Sequence, residues 1–310
     1  MASTVNAAFT EFIRDAVNLD PDETKNARAS RDWLVAQIHG FQDKVEGFPV
    51  LYTEKDIFFG SFARNTKIRE LDDIDIMICM SAQFASYYQY SDHVEIAIPF
   101  STHPLEEYCN TGTYTINSRK IVNKYVSSLK EVPQYEKSEI KRTMEAATLK
   151  MTSYPWNFDI VPCFFTKPES DGRDFYLIPD GKGNWKKTDP RKDRDIATII
   201  NKAHAGKALK LIRVMKFWNK RHTIPAMPSY LLETMILNYY LYSEASATSE
   251  YVNVEIPKLL RYIADKVFEA IYDLKNIQGD LNNLSLEQKQ KISIRALDDC
   301  CRALEARQYE

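Results

Sequence analysis

The sequence has few of the residues that bind transition metals or form disulfides. Its 310 residues include only five cysteines and five histidines. The cysteines are odd in number and never show CxxC spacing, and the histidines are scattered along the chain. A zinc site is therefore not expected. Odd, irregularly spaced cysteines in a chain of this length indicate free thiols, so we expect a reduced, cytoplasmic protein.

Long hydrophobic runs are also absent. No apolar stretch approaches the length needed to cross a bilayer, and the N-terminal residues lack the apolar core of a signal peptide. We therefore expect no membrane association. A formal net charge of −2 gives the chain no overall positive field, so the composition indicates no clear nucleic-acid partner. This composition is still compatible with a local basic patch that binds small anionic substrates.

The pattern of apolar residues changes along the chain from a sheet type to a helix type. Hydrophobic residues make up 44% of the sequence and charged residues 27%, which is typical of a globular protein with a sizeable core. Two amphipathic helices are predicted first, over 4–18 and up to Gly40, and short strands follow. After Trp185 the pattern is helical almost throughout. We predict two domains, 1–185 and 186–310, with a cleft between them.

The predicted elements between these limits follow from apolar periodicity and turn residues. The predicted strands are 57–59, 73–80, 94–98, 144–152 and 157–165, and the predicted later helices are 118–129, 190–202, 206–221, 229–243, 255–273 and 285–306.

Three aspartates lie at the start of one apolar strand, in the segment FFGSFARNTKIRELDDIDIMICM, residues 58–80. Side chains alternate on a strand, so Asp73 and Asp75 share one face, whereas Asp72 is out of phase with them. Neighbouring carboxylates repel each other unless a cation lies between them. The pair therefore indicates a divalent metal site, although an Asp-x-Asp pair is also common as a solvated strand end.

A third carboxylate, Asp159, stands alone in the apolar stretch YPWNFDIVPCFF, residues 154–165. A buried aspartate without a partner is unfavourable, so it needs a cation or hydrogen-bond donors. If its strand lies beside the strand that carries Asp73 and Asp75, the three carboxylates converge.

A Gly-Ser pair, Gly60 and Ser61, follows a short apolar strand and precedes a predicted short helix. Glycine lets the backbone approach a ligand closely, and Ser61 can offer its hydroxyl and backbone N–H to a phosphate. Arg64 and Lys67 add positive charge nearby, although surface charge explains them equally well. A phosphate loop ahead of a carboxylate pair is the layout that metal-assisted phosphoryl transfer needs.

These features resemble the nucleotidyltransferase superfamily in Gly60-Ser61, Thr66, Asp73-Ile74-Asp75 and Asp159. Two later stretches, LIRVMKFWNK at 211–220 and PSYLLET at 228–234, resemble the lysine helix and the Ser-Tyr helix start of oligoadenylate synthetases and cyclic GMP–AMP synthase. Together they are most similar to the bacterial cGAS/DncV-like nucleotidyltransferases (CD-NTases), the cyclic-oligonucleotide synthases of CBASS anti-phage signalling. The zinc-binding insertion of the animal DNA sensor is missing.

The resemblance implies a bilobal, polymerase β-like α+β fold. In that fold a mixed sheet lobe carries the first helices as a spine, a helical lobe follows, and the active site lies in the cleft. It also implies that Asp73, Asp75 and Asp159 are catalytic and bind two Mg²⁺ ions, for which Mn²⁺ can substitute.

The nucleotide contacts are likewise implied by the resemblance. Lys216 and Ser229 match residues that contact the triphosphate, together with Gly60-Ser61, and Tyr230 matches a tyrosine that stacks on the base. Further candidate contacts are Arg64, Thr66, Arg213 and Lys220. The periodicity alone puts Arg213, Lys216 and Lys220 on a face away from the core, which is also typical of a solvated basic stripe. It predicts that Trp218 is core and that Ser229 caps a helix.

The implied reaction joins NTPs, ATP among them, and cyclises them into a di- or trinucleotide with release of pyrophosphate. Two alternatives stay open. The enzyme could modify a macromolecule, tRNA or protein, although the slightly acidic composition disfavours tRNA. The chain could also be an inactive binding module with the same fold. Regulatory or effector proteins of a defence operon are the implied partners.

Overall fold

The computed structural model describes residues 4–221, 225–244 and 248–307 and divides the chain into two units. The sheet unit comprises Pro21–Ala63 and Leu71–Pro190. The helical unit comprises Met1–Asp20, Arg64–Glu70 and Arg191–Glu310. Each unit is therefore discontinuous along the chain, and the two predicted domains with a boundary after residue 185 stay a prediction.

The sheet unit is built on nine strands in the order β1-β2-β7-β8-β9-β4-β3, with a β5-β6 hairpin paired to β7. Pairing is parallel between β2 and β7 and antiparallel between the other neighbours. The strands are β1 Ile57–Phe59, β2 Asp73–Met80, β3 Ser86–Gln89, β4 Val94–Ala97, β5 Glu139–Thr143, β6 Ala146–Lys150, β7 Asn157–Phe165, β8 Tyr176–Pro179 and β9 Trp185–Thr188.

The strands β2 and β7 are buried on both faces over most of their length. Ile74, Ile76 and Ile78 are almost fully buried on one face, as the alternation predicts. Met77 and Cys79 on the other face belong to a second apolar cluster. A parallel pair in the middle of a sheet is covered on both sides, so its strands become apolar throughout. Only the first positions of β2 on that second face carry acidic side chains.

The helices predicted up to Gly40 and over 118–129 are present in the sheet unit, whereas the short helix predicted after Gly60-Ser61 begins at Gly60 itself. The helix α2 starts at Pro21, with acidic residues in its first turn, and ends at His39 before Gly40. The helix α5 begins after Asn117, whose side chain accepts a hydrogen bond from the backbone N–H of Arg119 at 2.9 Å. The helices of this unit are α2 Pro21–His39, α3 Phe41–Lys44, α4 Gly60–Ala63 and α5 Ser118–Lys130.

The helical unit packs its helices around a separate apolar core. The helix α1 is Val5–Phe12 and continues as a π-helix over Ile13–Val17, which the pattern over 4–18 predicted as one helix. The later helices are α6 Pro190–Ala203, α7 Lys207–Asn219, α8 Ser229–Leu241, α9 Val252–Lys266 and α10 Leu286–Arg307. Their shared core includes Leu211, Ile212, Leu232, Ile236, Leu260, Ile263, Ile292 and Ala296.

The cysteines and the helices of the described residues bear on two predictions from the sequence, free thiols and no membrane-spanning segment. The five cysteines form no disulfide. In the described ranges, no helix combines the length and the apolar character that a bilayer-spanning segment requires.

Removing a buried side chain from β2 tests the double-sided burial of this strand. Ile78 is 0% exposed, so Ile78→Ala should lower the free energy of unfolding by about 2–5 kcal/mol through lost contacts and a cavity. The control Val50→Ala, at a site 47% exposed, should change it by less than about 0.5 kcal/mol. Urea unfolding followed by circular dichroism measures both. Equal effects would contradict the described core.

Candidate active site

The pairing of β2 with β7 sets the three predicted carboxylates on one face of two neighbouring strands. Asp75 lies directly opposite Asp159 in the parallel register, and Asp73 lies opposite Asn157. Residues in register point to the same side of a sheet, and residues two apart on one strand do so as well. The backbone therefore brings Asp73, Asp75 and Asp159 to one place in the sheet unit.

Asp159 is oriented by a neighbour on its other side. The Thr148 hydroxyl donates a hydrogen bond to Asp159 Oδ1 at 2.6 Å. Thr148 lies on β6, opposite Asp159 in the antiparallel register. A carboxylate that accepts such a bond has its side-chain rotamer fixed, so Thr148 holds Asp159 in a defined direction. No pattern in the sequence indicated Thr148.

The Asp75 carboxylate fills the space that a side chain at position 60 would need. Gly60 has a φ of +71°, and a Cβ atom built on it would lie 1.7 Å from Asp75 Oδ2. Both facts restrict position 60 to glycine. The first residue of α4 and the β2 carboxylate are thus in close approach, with Ser61 next in the helix. The Gly-Ser pair and the acidic strand belong to one local structure.

The fit of a metal ion depends on these carboxylates. Carboxylate oxygens are the ligands that Mg²⁺ prefers, and the backbone register puts three of them on one face. Within the described ranges, however, no three His, Cys, Asp or Glu side chains are grouped closely enough to hold a metal ion. The three residues have the ligand type that Mg²⁺ prefers and share one face of the sheet, but their side chains are not grouped as a metal site. The two-ion site therefore stays a prediction. His222, one of the scattered histidines, lies outside the described residues.

Lys216 lies in a buried cluster of charged groups in the helical unit. Its side chain is only 5% exposed, and its ammonium group donates to Glu233 Oε2 at 2.7 Å and to Thr66 Oγ1 at 3.1 Å. The Arg64 guanidinium donates to the same carboxylate, from Nε to Oε1 at 2.7 Å and from Nη2 to Oε2 at 3.3 Å. The Thr66 hydroxyl donates to Glu233 Oε2 at 2.9 Å.

The charges in this cluster shift one another's protonation. Burial raises the pKa of Glu233, but Arg64 and Lys216 outweigh burial and lower this pKa to about 2. Burial lowers the pKa of Lys216, and the Glu233 carboxylate opposes part of this decrease. Glu233 is therefore an anion at neutral pH, and it stabilises the charged form of Lys216.

The basic face of α7 is not a solvated stripe. Arg213 is partly buried and donates to Asn18 Oδ1 at 2.9 Å and to the Asn65 carbonyl at 2.7 Å, so it connects three segments of the helical unit. Lys216 is buried with Glu233. Only Lys220, the C-cap residue of α7, is exposed as a solvated stripe requires. Trp218 lies in the core, as predicted.

The start of α8 differs from the prediction in one respect. Ser229 is the first helical residue and Pro228 is the N-cap residue, without a side-chain capping hydrogen bond, so the prediction that Ser229 caps the helix is wrong. Pro228 has a φ of −50° and a ψ of 131°, and its carbonyl accepts a hydrogen bond from the backbone N–H of Leu232 at 3.1 Å, so the helix begins one residue earlier than a serine cap requires. The predicted contact of Ser229 with a triphosphate stays a prediction.

Tyr230 is held by its hydroxyl group. The hydroxyl oxygen lies 2.7 Å from Asp193 Oδ1 and 3.0 Å from Asp273 Oδ1, so its single proton can be donated to either carboxylate. Lys275 Nζ donates to Asp193 Oδ2 at 2.8 Å. Burial is the largest cause that raises the pKa of Tyr230 well above its usual range, and the carboxylates of Asp193 and Asp273 raise it further. The ring is therefore anchored at one end, and stacking of a base on it stays a prediction.

Sequence reasoning missed four charged groups at these positions of the helical unit, which are Glu233, Lys275, Asp193 and Asp273. A signal for Glu233 was present, because it is the one charged residue in the sequence of α8, SYLLETMILNYYL. A single carboxylate in an otherwise uncharged helix requires a cationic partner when the helix is buried. Lys275 lies in the segment between α9 and α10, where no periodic pattern marks it.

Comparisons with known proteins agree with this description. No protein-family model matches the sequence. The chain is 42% identical over 297 residues to a Bacillus cereus (strain VD146) protein named probable cyclic nucleotide synthase IK1_05630, covering 96% of this chain and 88% of that protein. The structure of E. coli MS115-1 CdnC with ATP has a TM-score of 0.65 at 16% identity, covering 96% of this chain and 91% of that chain. The CdnC:HORMA-deltaN complex has a TM-score of 0.65 at 15% identity, with coverages of 96% and 90%.

The fold, with its mixed sheet and its helical core, is that of a nucleotidyltransferase, and the predicted α+β class is confirmed. The chain belongs to the bacterial cGAS/DncV-like nucleotidyltransferases, the CD-NTase family of cyclic nucleotide synthases. It is an enzyme of that class, which confirms the resemblance in its sequence.

A methyl group at position 60 tests the functional importance of the Gly60–Asp75 approach. Gly60→Ala should lower the rate of pyrophosphate release from NTPs at least about 100-fold, because the Cβ atom displaces the Asp75 carboxylate. The matched control is Gly172→Ala, also in the sheet unit, with a φ of +78° and no atom within 4 Å of its Cβ. Both variants carry the left-handed backbone cost of roughly 1–2 kcal/mol. Equal rates in the two variants would contradict a role for the position of Asp75.

Proposed function

We propose that the enzyme joins NTPs, ATP among them, into a cyclic di- or trinucleotide second messenger and releases pyrophosphate at each transfer. The observation that supports this most is the parallel register that sets Asp75 opposite Asp159 in a chain of the CD-NTase family. The name of the Bacillus cereus relative and the presence of ATP with CdnC in the similar structure support the substrate class.

In this proposal the sheet unit supplies the acidic groups. Asp73, Asp75 and Asp159 would hold two Mg²⁺ ions, or Mn²⁺ in their place. When bound, the metal supplies neutralisation of phosphate charge and a lower pKa for the acceptor ribose hydroxyl. Asp159, oriented by Thr148, accepts the hydroxyl proton. The hydroxyl oxygen forms a bond to the α-phosphorus, the bond between this phosphorus and the bridging oxygen breaks, and pyrophosphate leaves with the electron pair.

The remaining candidate residues bind and orient the nucleotide. Gly60 and Ser61 let the backbone of α4 approach the phosphates. In the helical unit, Lys216 and Ser229 bind the triphosphate and Tyr230 stacks on the base. Most of the rate enhancement in such a reaction comes from positioning and charge neutralisation. The further candidates Arg64, Thr66, Arg213 and Lys220 are additional nucleotide contacts in this proposal, and hydrogen bonds to protein groups orient the first three.

We also propose a cytoplasmic role in CBASS anti-phage signalling. The CdnC neighbour is known in a complex with HORMA-deltaN, which supports regulation of this enzyme by proteins of a defence operon.

Neutralising the proposed catalytic carboxylates tests the mechanism. Asp73→Asn and Asp159→Asn should each reduce pyrophosphate release to below roughly 1% of the wild-type rate, because the lost charge no longer offsets that of the phosphates. Circular dichroism should show an unchanged fold. The control is Asp72→Asn, an exposed neighbour that the strand alternation points away from the pair, and it should stay active. Full activity of the Asp159 variant would contradict the mechanism.

Mass spectrometry of the products tests the proposed reaction itself. Purified enzyme incubated with all four NTPs and Mg²⁺ should yield phosphatase-resistant products with the masses of cyclic di- or trinucleotides. Label that appears only on added RNA or protein would instead indicate a macromolecular acceptor. Release of no pyrophosphate, with or without a regulatory protein of the same operon, would indicate a binding module.

A further inference from the structure

Glu233 is the centre of the buried charge cluster in the helical unit. Its side chain is 1% exposed, and both carboxylate oxygens accept hydrogen bonds from charged groups. Oε1 accepts from Arg64, and Oε2 accepts from Lys216, Thr66 and the second Arg64 nitrogen. A two-pronged guanidinium–carboxylate contact of this kind fixes both groups in orientation. Glu233 therefore does not move independently of Lys216.

We infer that Glu233 is a positioning residue for NTP binding, which holds the Lys216 ammonium group in one direction and in its charged form for a triphosphate oxygen. This inference rests on the proposed contact between Lys216 and the triphosphate. Glu233 acts through Lys216 and is not itself a ligand of the nucleotide. Its two carboxylate oxygens repel phosphate, and both already accept hydrogen bonds from protein groups.

The direction of the Lys216 ammonium group follows from the groups that accept its hydrogen bonds. A lysine ammonium has three N–H groups in a tetrahedral arrangement. Glu233 and Thr66 accept two of them, at 2.7 and 3.1 Å. Fixing two of the three directions also fixes the third, so the cluster determines where Lys216 can donate to a phosphate. Thr66 is held in turn because its hydroxyl donates to Glu233.

The charge of the ammonium group follows from its surroundings. The charged groups that act on Lys216 are Glu233, which raises its pKa, and Arg64 and Lys67, which lower it in addition to burial. Arg64, Lys216 and Glu233 make two positive charges and one negative charge, a net charge of +1. Without the carboxylate, an almost buried ammonium beside a guanidinium would lose its proton at a lower pH. The buried anion thus favours, rather than opposes, the binding of an anionic substrate.

A purely structural ion pair would behave differently. Breaking such a pair lowers the free energy of unfolding but gives no reason for the affinity for NTPs to change with pH. The alkaline limit of NTP binding is therefore the property that separates the two roles.

Glu233→Gln removes the charge and nearly keeps the shape of the side chain. The KM for each of the four NTPs with Mg²⁺ should increase at least about 10-fold at pH 8, with a smaller change in kcat, since a binding contact is lost. The pH at which KM begins to increase should fall by at least about one pH unit, because Lys216 deprotonates more easily. In the unliganded protein, ¹³Cε-lysine NMR should show the same fall in the pKa of Lys216, assigned by its absence in Lys216→Met.

Two further variants separate charge, position and stability. Glu233→Asp keeps the charge but shortens the side chain, so KM should increase while the pH limit stays at the wild-type value. Glu255→Gln is the matched control, because Glu255 is also 1% exposed in the helical unit and accepts from Lys258 Nζ at 2.7 Å. It should lower the melting temperature without moving the pH limit of KM. If Glu233→Gln does not fold, the KM of Glu233→Asp still tests the inference.

The outcomes that overturn the inference are distinct. An unchanged Lys216 pKa and an unchanged pH limit in folded Glu233→Gln would show that Glu233 does not act on Lys216. Wild-type KM values in Glu233→Asp at every pH would show that the position of Lys216 is irrelevant. A lowered Lys216 pKa with an unchanged KM would overturn the role in NTP binding together with the assignment of Lys216, while the reaction itself, measured by its products, stands separately.

Discussion

The parallel pairing of β2 with β7 is the constraint on which the proposed chemistry depends. A register shift by one residue would turn Asp73 and Asp75 to the opposite face from Asp159, because side chains alternate along each strand. The apolar residues that follow prevent such a shift, since Met77, Cys79, Val161 and Cys163 pack in one cluster and Ile74, Ile76 and Ile78 are buried on the other face. The core thus determines where the carboxylates lie.

The two units carry different charges for the proposed reaction. In the sheet unit, carboxylates occupy the start of β2 and the matching part of β7, and Gly60 permits the close approach of α4. In the helical unit, cations are buried around one carboxylate, Glu233. Carboxylates suit a divalent cation, and a net positive cluster suits a triphosphate. In each unit a neighbouring residue orients a charged group. Thr148 donates to Asp159 in the sheet unit, and Glu233 accepts from Lys216 in the helical unit.

Much of the fold could be predicted from apolar patterns and helix signals. The bounds of β7 agree with the prediction over 157–165, and α2 begins at Pro21 and ends before Gly40. The short strands β1 and β4 were predicted, whereas β3, β5, β8 and β9 were not. The strands β3 and β5 are mostly exposed, so their sequences do not show the alternation of apolar and polar residues that marks a half-buried strand. Asp159 was found as a single acid in an apolar strand. Glu233 offered the same signal in a helix, but finding its partner Arg64 required the tertiary structure, since 169 positions separate them.

A crystal structure with Mn²⁺ and a non-hydrolysable NTP, in which anomalous scattering locates the metal, would test most directly whether the three carboxylates form a metal site. We predict Mn²⁺ within about 2.2 Å of carboxylate oxygens from both β2 and β7, Asp75 and Asp159 among them. Metal bound at another place, or bound without any oxygen of Asp159, would contradict the proposed site.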